Sequence, residues 1–136
     1  MKLSSNFSLE EMVNSSTARI RKIDNAPSEY HFRNLSRLCK LVLQPIRDKF
    51  GNAIIVTSGY RSGALNRVVG GSKSSQHLKG EAADIVCQDN LLLWNLICDM
   101  IQNGEITVGQ LIDEKNLSWI HISLPDDKHF NQILHL

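Results

Sequence analysis

A helical repeat of apolar residues runs from Glu29 to Phe50, and it restricts what the rest of the chain can build. Leucine, valine, isoleucine and phenylalanine recur there at steps of three and four residues, the spacing of one face of an α-helix. Gly51 follows directly and is a residue that commonly ends helices. Pro45 lies inside the repeat and predicts a kink or a break in the last turn. Because such a helix has one apolar face, another layer of structure must cover it.

Short segments rich in β-branched or alternating apolar residues predict the strands of that second layer. Asp89 is placed to cap a further helix over residues 90–103. A short helix through Val13 is predicted as well, because Ser8 and Glu11 form a capping box at its start. The predicted strands are Ala53–Ser58, Ala82–Cys87, Gly109–Asp113 and Trp119–Ser123.

A long polar stretch from Gly59 to Gly80 separates the first two predicted strands. We predict an ordered loop there, since long loops in compact domains usually carry function. The apolar tail, residues 130–136, is expected to dock on the fold. The predicted helices precede most of the predicted strands along the chain. This order predicts an α+β protein with N-terminal helices packed on a small, mainly antiparallel sheet. We expect a single domain spanning residues 1–136.

Composition excludes several classes of partner. The chain has 136 residues with 15 Lys and Arg against 14 Asp and Glu, a net charge of +1. This balance offers no basic surface for nucleic acid or an anionic membrane. The sequence shows neither a signal peptide nor an apolar run long enough to cross a bilayer, so we expect a protein made in the cytoplasm, without membrane insertion. Three cysteines without a CxxC pair suggest reduced thiols: Cys39, Cys87 and Cys98.

Two imidazoles and one carboxylate stand out as chemically active groups. His77 lies at the end of the predicted loop, and Asp84 lies on the strand that follows, with Gly80 permitting a tight path between them. Strand alternation sends His121 to the face opposite its two isoleucine neighbours. Two histidines and one carboxylate, with one position open, are the ligand count of a catalytic zinc site. The other histidines have no such motif and are interpreted as structural or solvated: His31, His129 and His135.

These residues form two motifs, Ser75-x-His77-x-x-Gly80-x-Ala82-x-Asp84 and, later, Trp119-Ile-His121. Together they resemble the zinc D-alanyl-D-alanine carboxypeptidase family, which shares a fold with the hedgehog signalling domain. The stretch from Thr57 to Ser62, with Asn66 and Gly70–Ser72 after it, is similar to the phage- and prophage-associated branch of that family. The resemblance extends from about residue 6 to residue 124 and implies the hedgehog/DD-peptidase fold.

The resemblance also implies roles for individual residues. The zinc ion, Zn²⁺, would be held by His77, Asp84 and His121. Arg61 corresponds to the family arginine that binds and polarises the substrate, and a guanidinium keeps its charge throughout a reaction cycle. The further substrate-binding candidates are Tyr60 and Ser75.

The general base departs from the family pattern. Well-studied members have Glu or Asp three residues before the last histidine, but this chain has Ser118, which cannot accept a proton at neutral pH. Alternation along the preceding strand puts Gln110, Ile112 and Glu114 on one face. The resembling branch has the pattern Gln-Leu-Ile-x-Glu at this place, so we expect Glu114 to be the base, with Asp113 as second candidate. The alternative interpretation is that Glu114 and Asp113 are both solvated turn residues without a catalytic role.

Three functions remain open. The first is a zinc metallopeptidase that hydrolyses D-amino-acid-containing bonds in peptidoglycan stem peptides or cross-bridges and acts as a monomer. It would work either at the cell wall after holin-type release or as a free intracellular enzyme. The second is a non-catalytic, zinc-containing domain that binds cell wall or peptide and lacks a functional base. The third is a non-haem iron oxygenase, whose metal ligands are also two histidines and a carboxylate. Against it stand the six residues between His77 and Asp84, where such oxygenases typically have one.

Overall fold

The structure, a computed structural model, describes residues 1–136 and has helices mainly in the first half and a sheet in the second. The helices are α1 (Leu9–Val13), α2 (Ser16–Arg21), α3 (Glu29–Leu38), α4 (Gln44–Phe50), α5 (Gly63–Val68) and α6 (Asn90–Gln102). The strands are β1 (Lys2–Ser4), β2 (Phe7–Ser8), β3 (Ile55–Ser58), β4 (Ala82–Val86), β5 (Gln110–Glu114), β6 (Trp119–Ser123) and β7 (Gln132–His135). The fold is therefore a mixed α and β structure with two sheets.

The long helical repeat continues through its proline by means of one wider turn. Helices α3 and α4 are joined by a π-helical turn, Cys39–Leu43, in which the Gln44 N–H bonds to the Cys39 carbonyl five residues back. Pro45 lacks an N–H and crowds the preceding turn, so a widened turn lets the helix continue past it. The predicted kink thus takes the form of a π-helical turn. Gly51 adopts φ 75° and ends α4, as predicted.

The larger sheet has five strands in the order β3-β4-β6-β5-β7. The pairs β3–β4, β4–β6 and β6–β5 are antiparallel, and β7 runs parallel to β5 at one edge. All four predicted strands are present, and the apolar tail docks as β7. In this register His121 stands opposite Asp84 on one side and opposite Ile112 on the other.

One cluster of buried side chains joins the helical layer to one face of the sheet. Because side chains alternate along a strand, burying the isoleucines of β4 and β6 sends Asp84 and His121 to the opposite face. Burying each large aliphatic side chain contributes roughly 1.5–3 kcal/mol. Packing of the core therefore decides which face carries the polar site. The buried cluster includes Leu35, Leu38, Val42, Ile46, Ile85, Leu111, Ile120 and Ile122.

The stretch from Gly59 to Gly80 corrects one sequence prediction. It is not a plain loop, because it contains α5, capped by the Ser62 hydroxyl, and a 3₁₀-helical turn, Gln76–Lys79. Helix α5 buries only Leu65 and Asn66, which is too little apolar repeat to be recognised in the sequence. The small sheet, which consists of β1 and β2, and helix α2 were not predicted either, since each is a short element. None of the helices is long and apolar enough to cross a bilayer.

Asn25 ties three parts of the chain together beside the sheet. Its amide nitrogen donates to the Val13 carbonyl at 2.9 Å and to the Tyr60 carbonyl at 3.1 Å. Its amide oxygen accepts from the Ser62 N–H at 2.8 Å. One side chain therefore holds the end of α1 against the segment that leads from β3 into α5.

We predict that Asn25→Ala lowers the free energy of unfolding by about 2–4 kcal/mol, because three hydrogen bonds to the backbone are lost. Urea denaturation followed by circular dichroism measures this change. Asn52→Ala is the matched control, since Asn52 is exposed and makes a single long contact at 3.4 Å. Equal stability of the two variants would contradict a tethering role for Asn25.

Candidate metal centre

His77 is fixed by the segments on either side of its ring. It lies in the 3₁₀-helical turn, where its N–H donates to the Ser75 hydroxyl at 3.2 Å. Its Nδ1 donates to the Gly59 carbonyl at 2.7 Å, and its side chain is only 2% exposed. A carbonyl can only accept, so Nδ1 carries a proton, and in the neutral ring Nε2 keeps the lone pair that a metal would need. Metal-binding histidines are commonly oriented by this kind of second contact.

Asp84 lies between the two histidines. Its Oδ1 is 3.3 Å from Nε2 of His77 and 3.2 Å from Nδ1 of His121. The carboxylate comes from β4, and His121 stands directly opposite it on β6. One ligand atom from each of the three residues lies within 4.8 Å of the other two. The structure thus brings together the three residues that the sequence analysis assigned to a metal.

The donor set fits zinc. Zinc binds nitrogen and oxygen at 2.0–2.2 Å in a tetrahedron, which puts neighbouring ligand atoms about 3.4 Å apart. Both distances from Asp84 Oδ1, 3.3 Å and 3.2 Å, agree with this spacing. These three residues come from three different elements, and a zinc ion held by them would keep a fourth position for water or substrate, as in catalytic rather than structural zinc sites.

Asp84 is held in its ionised form. Burial raises the pKa of a carboxyl group, but His121 and His77 in their protonated forms donate hydrogen bonds and bring positive charge, which outweigh burial and lower the pKa of Asp84 well below its usual value. A metal ligand must be deprotonated, so this environment keeps the carboxylate ready to bind a cation.

Arg61 contributes a guanidinium to the same cavity. Its backbone N–H donates to the His77 carbonyl at 3.1 Å, which ties the arginine to the metal-binding turn. Its Nε is buried without a hydrogen-bond partner. Burial lowers the pKa of Arg61, and the Asp84 carboxylate opposes that shift. Arginine nevertheless stays charged at any working pH. The group is therefore a free cation for a carboxylate or a polarised carbonyl.

The backbone of Gly71 lies against this guanidinium. A Cβ at Gly71 would stand 2.7 Å from Nη1 of Arg61 and 2.0 Å from Oδ1 of Asn66. Asn66 is 3% exposed, and this oxygen has no hydrogen-bond partner. A side chain at position 71 would consequently displace Arg61, Asn66 or both.

The two candidate bases occupy different environments. Glu114 lines the cavity that contains the three candidate metal ligands. Asp113 lies on the other face of β5, where Oδ1 accepts from the Leu117 N–H at 2.6 Å and Oδ2 is 3.1 Å from Nδ1 of His135. Ser118 is in the following turn, and its hydroxyl donates to a backbone carbonyl at 2.7 Å. Glu114 and Asp113 thus lie on opposite faces of β5, as the predicted alternation requires, and Glu114 is the one that lines the cavity.

The cavity around these residues has a volume of about 660 Å³. Tyr60 and Ser75, the predicted substrate-binding residues, both line it. Sequence reasoning missed two parts of the wall, residues 14–17 and His129. Neither carries a motif, and each reaches the cavity only because the chain folds back beside the sheet.

Comparison with known proteins agrees with this geometry. A family model described as Peptidase M15 matches residues 5–123. The chain therefore belongs to the M15 peptidases, a family of zinc-dependent enzymes. No match was found among curated proteins. The resemblance noted in the two sequence motifs is thereby confirmed at the level of the family.

We predict that zinc stabilises the metal-free protein through these three ligands. A ligand present at 100 times its Kd adds about 2.7 kcal/mol, which corresponds to a rise in Tm of roughly 10 °C for a domain of this size. Differential scanning calorimetry with and without zinc measures the shift. Asp84→Asn and His121→Ala should abolish it, while His135→Leu should keep it. A shift that persists in the two ligand variants would show that zinc binds elsewhere.

Proposed function

We propose that this chain is a zinc metallopeptidase that hydrolyses peptide bonds in peptidoglycan stem peptides or cross-bridges, at bonds that involve D-amino acids. The observation that carries the proposal is that one cavity of this M15 family member brings together the groups needed for the reaction. The three metal ligands, the carboxylate of Glu114 and the unpaired guanidinium of Arg61 all line it. These are the groups that metal-assisted hydrolysis of a peptide bond requires.

His77, Asp84 and His121 would hold the ion. When bound, zinc supplies a Lewis acid that lowers the pKa of a coordinated water to about 7 and polarises a carbonyl. Glu114 would accept the proton of the attacking water on a carboxylate oxygen and return it to the leaving amine. A carboxylate in such a position typically contributes 10²–10⁴-fold to the rate.

Arg61 would bind the substrate. Its buried and unpaired Nε and its neighbouring guanidinium nitrogens can hold a peptide carboxylate, or the negative charge that develops on the carbonyl oxygen. The Ser75 hydroxyl and the Tyr60 ring line the same wall. A cavity of about 660 Å³ lies within the range of sites that enclose small ligands, so it suits a short peptide segment.

The resemblance of the two sequence motifs supports the finer parts of this proposal. It favours a D-Ala-D-Ala carboxypeptidase-like enzyme of the phage- and prophage-associated branch, with the hedgehog/DD-peptidase fold in a single domain. Such an enzyme would act as a monomer, at the cell wall, after holin-type release from the cytoplasm.

A second candidate function is a non-catalytic, zinc-containing domain that binds a cell-wall peptide. It is favoured by Ser118, which occupies the position of the usual family base and whose hydroxyl is engaged with the Lys115 carbonyl. Membership in a peptidase family argues against the iron oxygenase. Whether Glu114 takes over the role of the base decides between the peptidase and the binding domain.

We predict that Glu114→Gln lowers kcat by about 10²–10⁴-fold with zinc content unchanged, because the proton acceptor is lost while the ligands stay. The substrate is a soluble muropeptide mixture, and products are identified by mass spectrometry with and without a chelator. Asp113→Asn is the matched control. It should retain activity, since its side chain faces away from the cavity and keeps an oxygen for the Leu117 N–H.

Two results would overturn this assignment. One zinc per chain with no cleavage of any muropeptide would favour the binding domain. Loss of activity in Asp113→Asn but not in Glu114→Gln would exchange the two roles.

We predict that Gly71→Ala lowers kcat/KM by about 10- to 100-fold while the fold persists, because the new methyl group stands too close to both Asn66 Oδ1 and Arg61 Nη1 and forces the packing around the guanidinium to shift. Gly63→Ala is the control, since a Cβ there meets only the Arg67 guanidinium at an ordinary 3.5 Å. Circular dichroism verifies folding of both variants. Wild-type kcat/KM in folded Gly71→Ala would argue against a substrate role for Arg61.

A further inference from the structure

The segment between β6 and β7 places a histidine on the cavity wall, beyond the part of the chain that matches the family. The match ends at residue 123, and His129 lies six residues further on. His129 lines the same cavity as the metal ligands, with its side chain 26% exposed. This residue is therefore a feature of the chain that family membership does not account for.

The segment is anchored at both ends. Leu124 donates its N–H to the Glu81 carbonyl at 2.9 Å, and its own carbonyl accepts from the Gln76 side chain at 2.9 Å. At the other end, the Asn131 N–H donates to the Val108 carbonyl at 2.7 Å, and the Asn131 side chain accepts from the Val108 N–H at 2.9 Å. These contacts fix where the segment crosses the edge of the cavity.

Asp126 fixes the orientation of the imidazole within this segment. Its Oδ1 accepts from the backbone N–H groups of Lys128 and His129, each at 2.8 Å, and lies 3.0 Å from Nδ1 of His129. The Asp126 N–H in turn donates to the His129 carbonyl at 3.0 Å. Because a carboxylate only accepts, Nδ1 carries the proton, and Nε2 of the neutral ring is left as a hydrogen-bond acceptor.

The position of His129 separates it from the proposed base. Gln110 begins β5 and pairs with Gln132 of β7, whereas Glu114 ends β5. Four residues of strand correspond to about 13 Å, so the segment just before β7 adjoins the end of the strand opposite Glu114. A group at that end is suited to contact a part of the substrate away from the attacking water.

A second histidine, His135, is also paired with an aspartate but lies outside the cavity. Nδ1 of His135 lies 3.1 Å from Oδ2 of Asp113, but its side chain is 67% exposed and does not line the cavity. A histidine paired with an aspartate is thus not by itself a binding group. What distinguishes His129 is its place on the cavity wall.

We propose that His129 is a specificity-determining residue whose Nε2 accepts a hydrogen bond from an N–H group of the peptide substrate, either a backbone amide or an ammonium group. Asp126 is the positioning residue that holds the ring in the required tautomer. This inference rests on the proposed peptidase function and deepens it, since it concerns the recognition of the same substrate.

The test compares KM and kcat of the zinc-loaded full-length protein on a purified muropeptide that the wild type cleaves. His129→Leu should raise KM by about three- to tenfold, because that is the change in affinity expected from losing one hydrogen bond. The kcat should stay within about twofold of wild type. His129→Gln retains an acceptor and should recover much of the loss. His135→Leu is the matched control and should leave both constants unchanged.

A second variant addresses the case in which His129→Leu does not fold. Asp126→Ala leaves the imidazole in the chain but removes its tether, and it should raise KM in the same direction. Unchanged KM in a folded His129→Leu or Asp126→Ala variant would overturn the proposal. A fall in kcat at constant KM would overturn it as well, because it would assign His129 to the chemical step.

Binding measurements separate this proposal from the peptidase function. Isothermal titration calorimetry with the same class of muropeptide gives Kd for the wild type and for His129→Leu. If the wild type binds but cleaves nothing, only the peptidase function fails, and His129→Leu must still weaken binding by about three- to tenfold. If the wild type neither binds nor cleaves any muropeptide, both proposals fail.

Discussion

The register between β4 and β6 is the constraint on which the candidate site depends. It sets Asp84 directly opposite His121, so that one carboxylate oxygen meets an imidazole across neighbouring strands at 3.2 Å. A slip of one residue would turn one of these side chains into the core. The same alternation buries Ile85 and Ile120, so the apolar packing that stabilises the fold also enforces the geometry of the ligands. A metal bound by these residues would therefore be coupled to folding.

The third ligand depends on backbone contacts rather than on the sheet. His77 is oriented by the Gly59 carbonyl, and its own carbonyl accepts from the Arg61 N–H. Asn25 holds that segment against the end of α1. Groups without direct contact to a metal or a substrate thus determine where the imidazole and the guanidinium stand. Arrangements of this kind keep catalytic groups positioned before the substrate arrives.

Several features were predictable because they depend on local or periodic signals. The four strands, the helix ended by Gly51 and the face of Glu114 follow from alternation, helical spacing and a known capping preference. Helix α5 and the small N-terminal sheet were not predicted, since each is too short to show a period. The widened turn before Pro45 was predicted only as a kink, because the sequence does not state how a helix accommodates a proline.

The sequence alone determined the chemical nature of the site, since two histidines and an aspartate set in a recognisable motif limit the metal and the class of reaction. Strand alternation set Glu114 and Asp113 on opposite faces, and the tertiary structure decided which face meets the cavity: Glu114 lines it, while Asp113 pairs with His135 and the following turn. Nothing in the sequence indicated that His129 reaches the cavity wall. That placement follows from long-range contacts that hold the segment after β6. Such contacts join residues that are far apart in the chain, and the local sequence around each residue does not indicate them.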